Sequence, residues 1–366
     1  MKADSPGQLI MTGVPGKELD PKTAELFKRV QPGAFILFGR NIASASQLRK
    51  LIDDLRDLSD VEPIITIDQE GGRVSRLRLI GSEPPNAQQL RDKDDVGLIR
   101  RHGEITGRLL RLFGFNLDLC PVLDISFDDQ ADNSLRGRCY GKTVNQVVRN
   151  AGAFNDAMRE QGIASCGKHF PGYSAAASDA HYELPRIDRT REQLEEAELA
   201  VFRQFSARVD SMMICHGWYP CFEPQRTPAT LSRRIVTDLL RSDLGFDGLI
   251  MTDDLDMGAI LNGYRLEDTI RLAIDAGNDV AMICHRIPEV ENVHRILTTL
   301  PSAQIERALE SVTQFKKKLK PADQFSEAAF RSIDNEIWDL RVATLGDERA
   351  RQRSPEDGKR SPVESY

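Results

Sequence analysis

Residues 162–169 read Gly-Ile-Ala-Ser-Cys-Gly-Lys-His, a short apolar run that stops at the polar pair Lys168-His169. Seven more runs of this kind recur along the chain, and most are followed by a turn and an amphipathic segment. Short runs without polar alternation are typical of strands buried on both faces of a parallel sheet. The other runs cover residues 8–14, 33–38, 63–67, 115–120, 211–215, 248–252 and 279–284.

Amphipathic segments lie between these runs, and their apolar residues recur at helical spacing. We predict helices over residues 44–58, 144–161, 191–208 and 232–244. Strand and helix alternating about eight times are typical of a (β/α)8 TIM-type barrel, which is an α/β fold. A doubly wound open sheet is the alternative for the same alternation.

The barrel pattern accounts for residues 1–320, which we predict to be a single catalytic domain. A weaker helical pattern predicts a C-terminal helical extension over residues 321–345. Residues 346–366 contain almost no apolar side chains, and such a composition buries too little surface to offset the entropy of folding. We therefore predict a polar, disordered tail there.

The composition limits the classes of partner. The 366 residues carry a net charge of −7, with a sequence pI of 5.6. A nucleic-acid partner would require a basic face, so we expect none. No apolar run approaches the length that crosses a bilayer, and the N-terminus lacks the pattern of a signal peptide. We expect a cytoplasmic monomer without a membrane partner.

Six cysteines and six histidines are scattered along the chain. Neither residue type shows the close spacing of a zinc or redox motif, so we expect buried free thiols in a reducing compartment. We also expect no metal and no organic cofactor.

Polar residues follow the apolar runs at the points where the predicted strands end. Active sites of barrels lie at the carboxyl ends of the strands, so the positions of these residues predict a catalytic face. They include Asp68 after the third run, Asp124 after the fourth, Lys168-His169 after the fifth, His216 after the sixth, Asp253-Asp254 after the seventh and His285-Arg286 after the eighth.

Asp253 directly follows a predicted buried strand, which would hold its carboxylate in one place, as a nucleophile requires. Side chains alternate along an extended backbone, so Asp254 points elsewhere and is suited to hydrogen bonds with nearby backbone. The competing interpretation of the pair is a double helix N-cap.

Asp179 and His181 are two residues apart in a segment of small residues, which predicts a mobile catalytic loop. An aspartate beside an imidazole fixes its tautomer and favours its charged form. Imidazole titrates near pH ~6.5, so it can both give and take protons at neutral pH. A purely structural Asp–His hydrogen bond is the alternative.

The chain resembles the family 3 glycoside hydrolases, specifically the single-domain β-N-acetylhexosaminidases of bacterial peptidoglycan recycling. The resemblance rests on motifs in a fixed order between about residues 8 and 285. They are Phe38-Gly39-Arg40-Asn41-Ile42, Asp68-Gln69-Glu70-Gly71-Gly72-Arg73, Pro121-Val122-Leu123-Asp124, Arg138-Cys139-Tyr140-Gly141, Lys168-His169-Phe170-Pro171-Gly172, Asp179-Ala180-His181 and Thr252-Asp253-Asp254-Leu255.

The resemblance implies a role for each candidate residue. Asp253 would be the nucleophile, and His181 the general acid/base, assisted by Asp179. Most retaining glycosidases use two carboxylates, so a histidine in this role is a departure. The substrate would be a small carbohydrate or muropeptide. The positions that match the family's sugar-binding residues are Asp68, Arg76, Arg138, Lys168 and His169.

The sequence departs from the family pattern around the catalytic loop. Tyr173-Ser174 stand where the family has His-Gly, and Ala180 stands where it has Ser. Cys139-Tyr140 replace Ser-Phe. These changes predict altered loop stiffness and a different fit around the leaving group.

Three other functions are compatible with the motifs. A neutral imidazole repels an anion less than a carboxylate does, so phosphate could replace water in a glycoside phosphorylase. A β-glucosidase is disfavoured because in this family it takes its acid/base carboxylate from a second domain. A non-catalytic sugar-binding barrel is disfavoured by the intact pair Asp253 and His181.

Overall fold

The computed structural model describes residues 5–131, 134–176 and 178–354. Eight parallel strands close into a barrel in the order β1-β10-β9-β8-β7-β6-β3-β2, which confirms the predicted TIM-type fold and rules out the open sheet. The barrel strands are β1 Ile10–Gly13, β2 Ala34–Leu37, β3 Ile64–Ile67, β6 Leu117–Asp118, β7 Ala164–Phe170, β8 Ser211–Ile214, β9 Leu249–Asp254 and β10 Val280–Ile283. A small hairpin, β4 Gln69–Gly71 and β5 Val74–Ser75, follows β3.

Helices surround the barrel, and their apolar faces pack on the outward side chains of the strands. Their bounds are α1 Pro21–Val30, α2 Ala45–Leu58, α3 Ala87–Lys93, α4 Val96–Phe113, α5 Val144–Glu160, α6 Arg191–Glu196, α7 Glu198–Phe205, α8 Gly258–Leu261, α9 Leu266–Ala276, α10 Val290–Leu297, α11 Ser302–Lys316, α12 Glu327–Leu345 and α13 Asp347–Ala350, with a π-helical segment at Arg234–Asp243.

The single helix predicted over residues 191–208 is wrong, because the segment is divided into α6 and α7. Ala197 lies between them with φ −122° and ψ −88°, outside the helical region. The break allows the Glu198 carboxylate to be buried, where it accepts a hydrogen bond from Arg189 at 3.0 Å. The helical spacing of apolar residues in the sequence gives no information about this interaction between two side chains.

The C-terminal extension wraps back onto the barrel, with α12 packed against α4. Residues 346–354, which the sequence predicts to be disordered, are placed against the protein. The Arg341 guanidinium donates to the Ala350 carbonyl at 2.9 Å, and the Ser354 hydroxyl donates to Glu83 at 2.7 Å. The composition of this segment could not predict these contacts. They depend on the buried side chains of Arg341 and Glu83, which lie outside the segment. Residues 355–366 of the predicted tail lie outside the described residues.

A helix needs about 20 mainly apolar residues to cross the hydrocarbon core of a bilayer. In the described ranges, none of the helices is both long and apolar enough to cross a membrane.

Candidate active site

One cavity at the carboxyl ends of the barrel strands collects the predicted site residues. The two that the chain separates most, Asp68 and Asp253, face the same space because β3 and β9 end at the same rim. Asp179 lies directly behind His181, as described below. The predicted residues that line the cavity are Asp68, Arg76, Arg138, Lys168, His169, His181 and Asp253.

A buried cluster of charges forms one side of the cavity. Lys168, near the end of β7, donates a hydrogen bond from Nζ to Asp68 Oδ1 at 2.7 Å. The same Nζ lies 2.7 Å from Glu70 Oε1. Arg138 donates to both Glu70 oxygens at 2.7 Å, in a bidentate pair. Arg76 Nη2 lies 3.6 Å from Asp68 Oδ2. The cluster presents fixed donors and acceptors, which hydroxyl groups of a sugar require.

These groups remain charged despite their burial. Burial opposes the charge of the Lys168 ammonium, but Asp68 and Glu70 outweigh it and hold its pKa above the ordinary value. Burial also disfavours the Glu70 carboxylate, yet Arg138 and Lys168 keep its pKa well below the ordinary value. Glu70 belongs to the motif of residues 68–73, but the sequence did not identify it as a site residue. The feature that could have identified it is its position two residues after Asp68.

Asp118 lies beneath this cluster at the end of β6 and is fully buried. The Gln69 N–H donates to its Oδ1 at 3.1 Å, and its Oδ2 has no hydrogen-bond partner in the described part of the chain. Burial raises the pKa of Asp118 to about 8, against the opposing effects of the Gln69 N–H and the Lys168 ammonium. The sequence analysis did not single out this carboxyl group.

Asp124 holds the second imidazole of the site. His169 Nδ1 lies 2.7 Å from Asp124 Oδ2, which also accepts the His169 backbone N–H at 3.1 Å. The other oxygen, Oδ1, accepts the Tyr173 backbone N–H at 2.6 Å. A carboxylate accepts only, so His169 Nδ1 carries a proton and Nε2 is directed towards the Arg138 side of the cavity. Asp124 therefore positions His169 without lining the cavity.

Asp179 and His181 form a hydrogen-bonded pair on the segment that follows β7. His181 Nδ1 lies 2.6 Å from Asp179 Oδ1, and the His181 backbone N–H donates to the same oxygen at 3.0 Å. Burial opposes ionisation of Asp179, but the hydrogen bond and charge of His181 outweigh it and lower the pKa of the carboxyl group. The Asp179 carboxylate thus fixes a proton on Nδ1 of His181.

The buried Tyr173 side chain forms hydrogen bonds to the backbone of this segment. Its hydroxyl group donates to the Ser178 carbonyl at 3.0 Å and accepts the Ala180 N–H at 2.8 Å. These two residues flank Asp179, and the Tyr173 side chain is buried. The departure from the family pattern at this position therefore supplies two hydrogen bonds that hold the segment carrying Asp179 and His181.

The same segment is docked on the start of α8, across the mouth of the barrel. The Gly258 N–H donates to the His181 carbonyl at 2.9 Å, and the Ala259 N–H donates to the Ala180 carbonyl at 3.0 Å. The Asn262 amide donates to the Tyr182 carbonyl at 2.7 Å. Because α8 follows β9, these contacts bring His181 to the side of the cavity that carries Asp253.

Asp253 occupies the end of β9 and is held by its own backbone, because the Asp254 N–H donates to Asp253 Oδ1 at 2.8 Å. Burial opposes ionisation of Asp253, but the positive charge that His216 and His169 carry when they are protonated, together with this N–H, lowers its pKa below the ordinary value. Asp254 also lines the cavity, and its carboxylate makes the hydrogen bonds to nearby backbone that the sequence predicts. Its Oδ1 accepts the backbone N–H groups of Asp256 and Cys284 at 3.0 and 3.2 Å.

His216 and His285 also line the cavity, at strand ends that predict the catalytic face, although the sequence assigns neither of them an individual role. His285 Nδ1 lies 3.0 Å from Arg40 Nη1, and its Nε2 lies 3.2 Å from Asp254 Oδ2. His216 Nε2 lies 2.9 Å from the Asp254 carbonyl oxygen. Each follows a predicted strand, which was the signal that the sequence offered for both.

Carboxylates and imidazoles, which are common metal ligands, share this cavity. Within residues 5–131, 134–176 and 178–354, no group of three or more His, Cys, Asp or Glu side chains has an arrangement that could hold a metal ion.

Known proteins resemble the chain in sequence and in fold. The sequence model of the protein family "Glycosyl hydrolase family 3 N terminal domain" matches residues 3–315 of this chain. A beta-hexosaminidase of Vibrio cholerae serotype O1 is 34% identical over 320 residues, which cover 86% of this chain and 94% of that protein. A beta-hexosaminidase of Tolumonas auensis is 32% identical over 308 residues, covering 82% and 90%.

A solved structure gives the same result. The family 3 β-N-acetylglucosaminidase from Paenibacillus sp. str. FPU-7 superposes with a TM-score of 0.86 and 31% identity, covering 94% of this chain and 68% of that one. The protein is a glycoside hydrolase that acts on O-glycosyl bonds. More particularly, it belongs to glycosyl hydrolase family 3, which confirms the resemblance found in the sequence motifs.

Proposed function

We propose that this protein is a retaining β-N-acetylglucosaminidase that removes terminal non-reducing N-acetylglucosamine from glycosides such as cell-wall (peptidoglycan) fragments. The main support is one observation: the Asp253 carboxylate and the His181 imidazole, from different strand-end segments, line a single cavity with the Asp68–Lys168 cluster. The names of the relatives from Vibrio cholerae and Tolumonas auensis support the same substrate class.

The first step forms a glycosyl-enzyme. The Asp253 carboxylate attacks the anomeric carbon, while the bond from that carbon to the leaving oxygen breaks. His181, protonated on both nitrogens, gives its Nε2 proton to the leaving oxygen. Asp179 stabilises the imidazolium before the transfer and the Nδ1–H tautomer after it. Backbone anchoring of Asp253 reduces the cost of bringing the carboxylate to the reacting carbon.

The second step releases the sugar. Neutral His181 accepts a proton from water through Nε2, and the resulting hydroxide attacks the anomeric carbon, so that Asp253 leaves as a carboxylate. Two inversions give net retention at that carbon. During both steps the hydroxyl groups of the sugar are held by hydrogen bonds to Asp68, Arg76, Arg138, Lys168 and His169.

The setting of the reaction is part of the proposal. We propose that the enzyme acts as a monomer in the cytoplasm on small saccharides or muropeptides. The support for a reducing compartment is that all six cysteines are free and five of them are buried.

Paired substrates test this function. We expect hydrolysis of 4-nitrophenyl N-acetyl-β-glucosaminide with a kcat/KM at least ~100-fold above that of 4-nitrophenyl β-glucoside, unchanged by added phosphate. Asp253→Asn should lower kcat by at least ~1,000-fold while substrate binding persists. Sugar 1-phosphate as product would identify a phosphorylase, preference for the glucoside would identify a β-glucosidase, and binding without turnover by the wild type would identify a non-catalytic barrel.

A further inference from the structure

His216 is a buried imidazole in the sugar cavity to which the proposed mechanism assigns no task. It follows β8 and its side chain is inaccessible to solvent. It lines the cavity together with Asp253 and His181. A buried polar side chain without a complete set of partners normally has a specific role.

The hydrogen bond to the protein determines the tautomer of His216. Nε2 lies 2.9 Å from the Asp254 carbonyl oxygen, and a carbonyl oxygen can only accept. Nε2 therefore carries a proton. Burial lowers the pKa of His216 below its ordinary value, even though Asp253 raises it, so we assign the negative charge to Asp253 and the neutral state to His216. In this state Nδ1 has a lone pair and no proton.

That lone pair has no partner in the protein. Nδ1 is buried, and no donor in the described ranges reaches it. His285 is different, since Arg40 and Asp254 engage both of its nitrogens. An unpaired buried acceptor is costly, and in a binding cavity a donor on the ligand can relieve that cost.

Resting on the proposed function, we infer that His216 Nδ1 accepts a hydrogen bond from the amide N–H of the sugar's 2-acetamido group. Asp253 must stand next to the anomeric carbon in order to attack it, and His216 shares that side of the cavity. Of the two ring neighbours of the anomeric carbon, the ring oxygen has no proton to donate, whereas C2 carries the amide N–H. His216 would then be a specificity-determining residue.

The test compares substrates that differ only in that proton. The pair is 4-nitrophenyl N-acetyl-β-glucosaminide and its 2-O-acetyl glucoside analogue, in which an ester oxygen replaces the N–H. The wild type should prefer the acetamido substrate. In His216→Gln, whose amide can still donate to the Asp254 carbonyl, kcat/KM for the acetamido substrate should fall by roughly 5- to 150-fold. The value for the ester should change by less than about threefold.

Two further variants separate recognition from folding. His216→Asn keeps an acceptor near the Nδ1 position and should retain part of the preference. His285→Gln alters a cavity imidazole that is fully paired in the protein, so it should change both substrates by the same factor. These ratios are insensitive to a general loss of folded enzyme, because both substrates are measured on the same preparation.

The outcomes distinguish the two claims. If the wild type does not hydrolyse the acetamido substrate, the proposed function fails. If it does, and His216→Gln keeps the wild-type ratio between the two substrates, the assignment of His216 is overturned while the proposed function stands.

Discussion

At the scale of single residues, the Tyr173 hydroxyl helps to hold the segment that carries His181, the proposed general acid/base. It donates to Ser178 and accepts from Ala180, on either side of Asp179. The ring itself packs in the core beside His169, so the hydroxyl and the ring have separable roles.

Tyr173→Phe removes the hydroxyl and keeps the ring. We expect kcat/KM to fall by about 5- to 20-fold for a glycoside with a poor leaving group, such as phenol, because proton donation by His181 becomes less well aligned. A 2,4-dinitrophenyl glycoside, whose leaving group needs no proton, should change by less than about threefold. Equal losses on both substrates would contradict a positioning role for Tyr173.

At the scale of elements, α8 contacts the segment that carries His181, so that the loop after β7 meets the connection after β9, the strand that ends with Asp253, the proposed nucleophile. Gly258 leaves no room for a side chain at this contact. A Cβ added there would lie 2.6 Å from both the His181 and the Tyr182 carbonyl oxygens, and backbone atoms cannot move aside without moving the segment.

Gly258→Ala should therefore displace His181 and lower kcat by about 10- to 100-fold for poor leaving groups, since small misplacements of a catalytic group are costly. Gly263→Ala is the matched control on the same connection, because an added Cβ there meets nothing within 4 Å. The control should stay within about twofold of wild type. A Gly258→Ala enzyme as active as the control would show that the docked position is not required.

The elements also show how far sequence analysis reaches. The apolar runs and the polar residues that follow them predicted the barrel. Because strand ends in a barrel converge, the same pattern predicted that Asp68, Lys168, His181 and Asp253 lie at one rim. Glu70, Asp124 and His216 could not be assigned from the sequence. Their roles depend on partners far along the chain, and periodicity carries no information about such pairs.

At the scale of the whole molecule, closing the barrel buries the Asp118 carboxyl group completely. Unfolded aspartate titrates near ~3.9, whereas burial raises the pKa of Asp118 to about 8. Between these two values the folded state binds more protons than the unfolded state. This group therefore makes the free energy of unfolding fall as pH rises through that window.

Asp118→Asn mimics the protonated form and keeps an acceptor for the Gln69 N–H. The variant should gain stability over the wild type as pH rises from 4 to 8, with a slope of up to about 1.4 kcal/mol per pH unit. Urea unfolding at several pH values measures this difference. Parallel stability curves for the two proteins would mean that Asp118 is already ionised in the fold.

The central claim is that Asp253 becomes covalently bonded to the sugar. The most direct measurement is peptide mass spectrometry after reaction with a slow substrate, a 5-fluoro analogue of N-acetylglucosaminyl fluoride, whose glycosyl-enzyme breaks down slowly. We predict a single added sugar on the peptide that contains Asp253, absent from Asp253→Asn. A sugar attached at another carboxylate, or steady turnover of the substrate with no covalent species on any peptide, would contradict it.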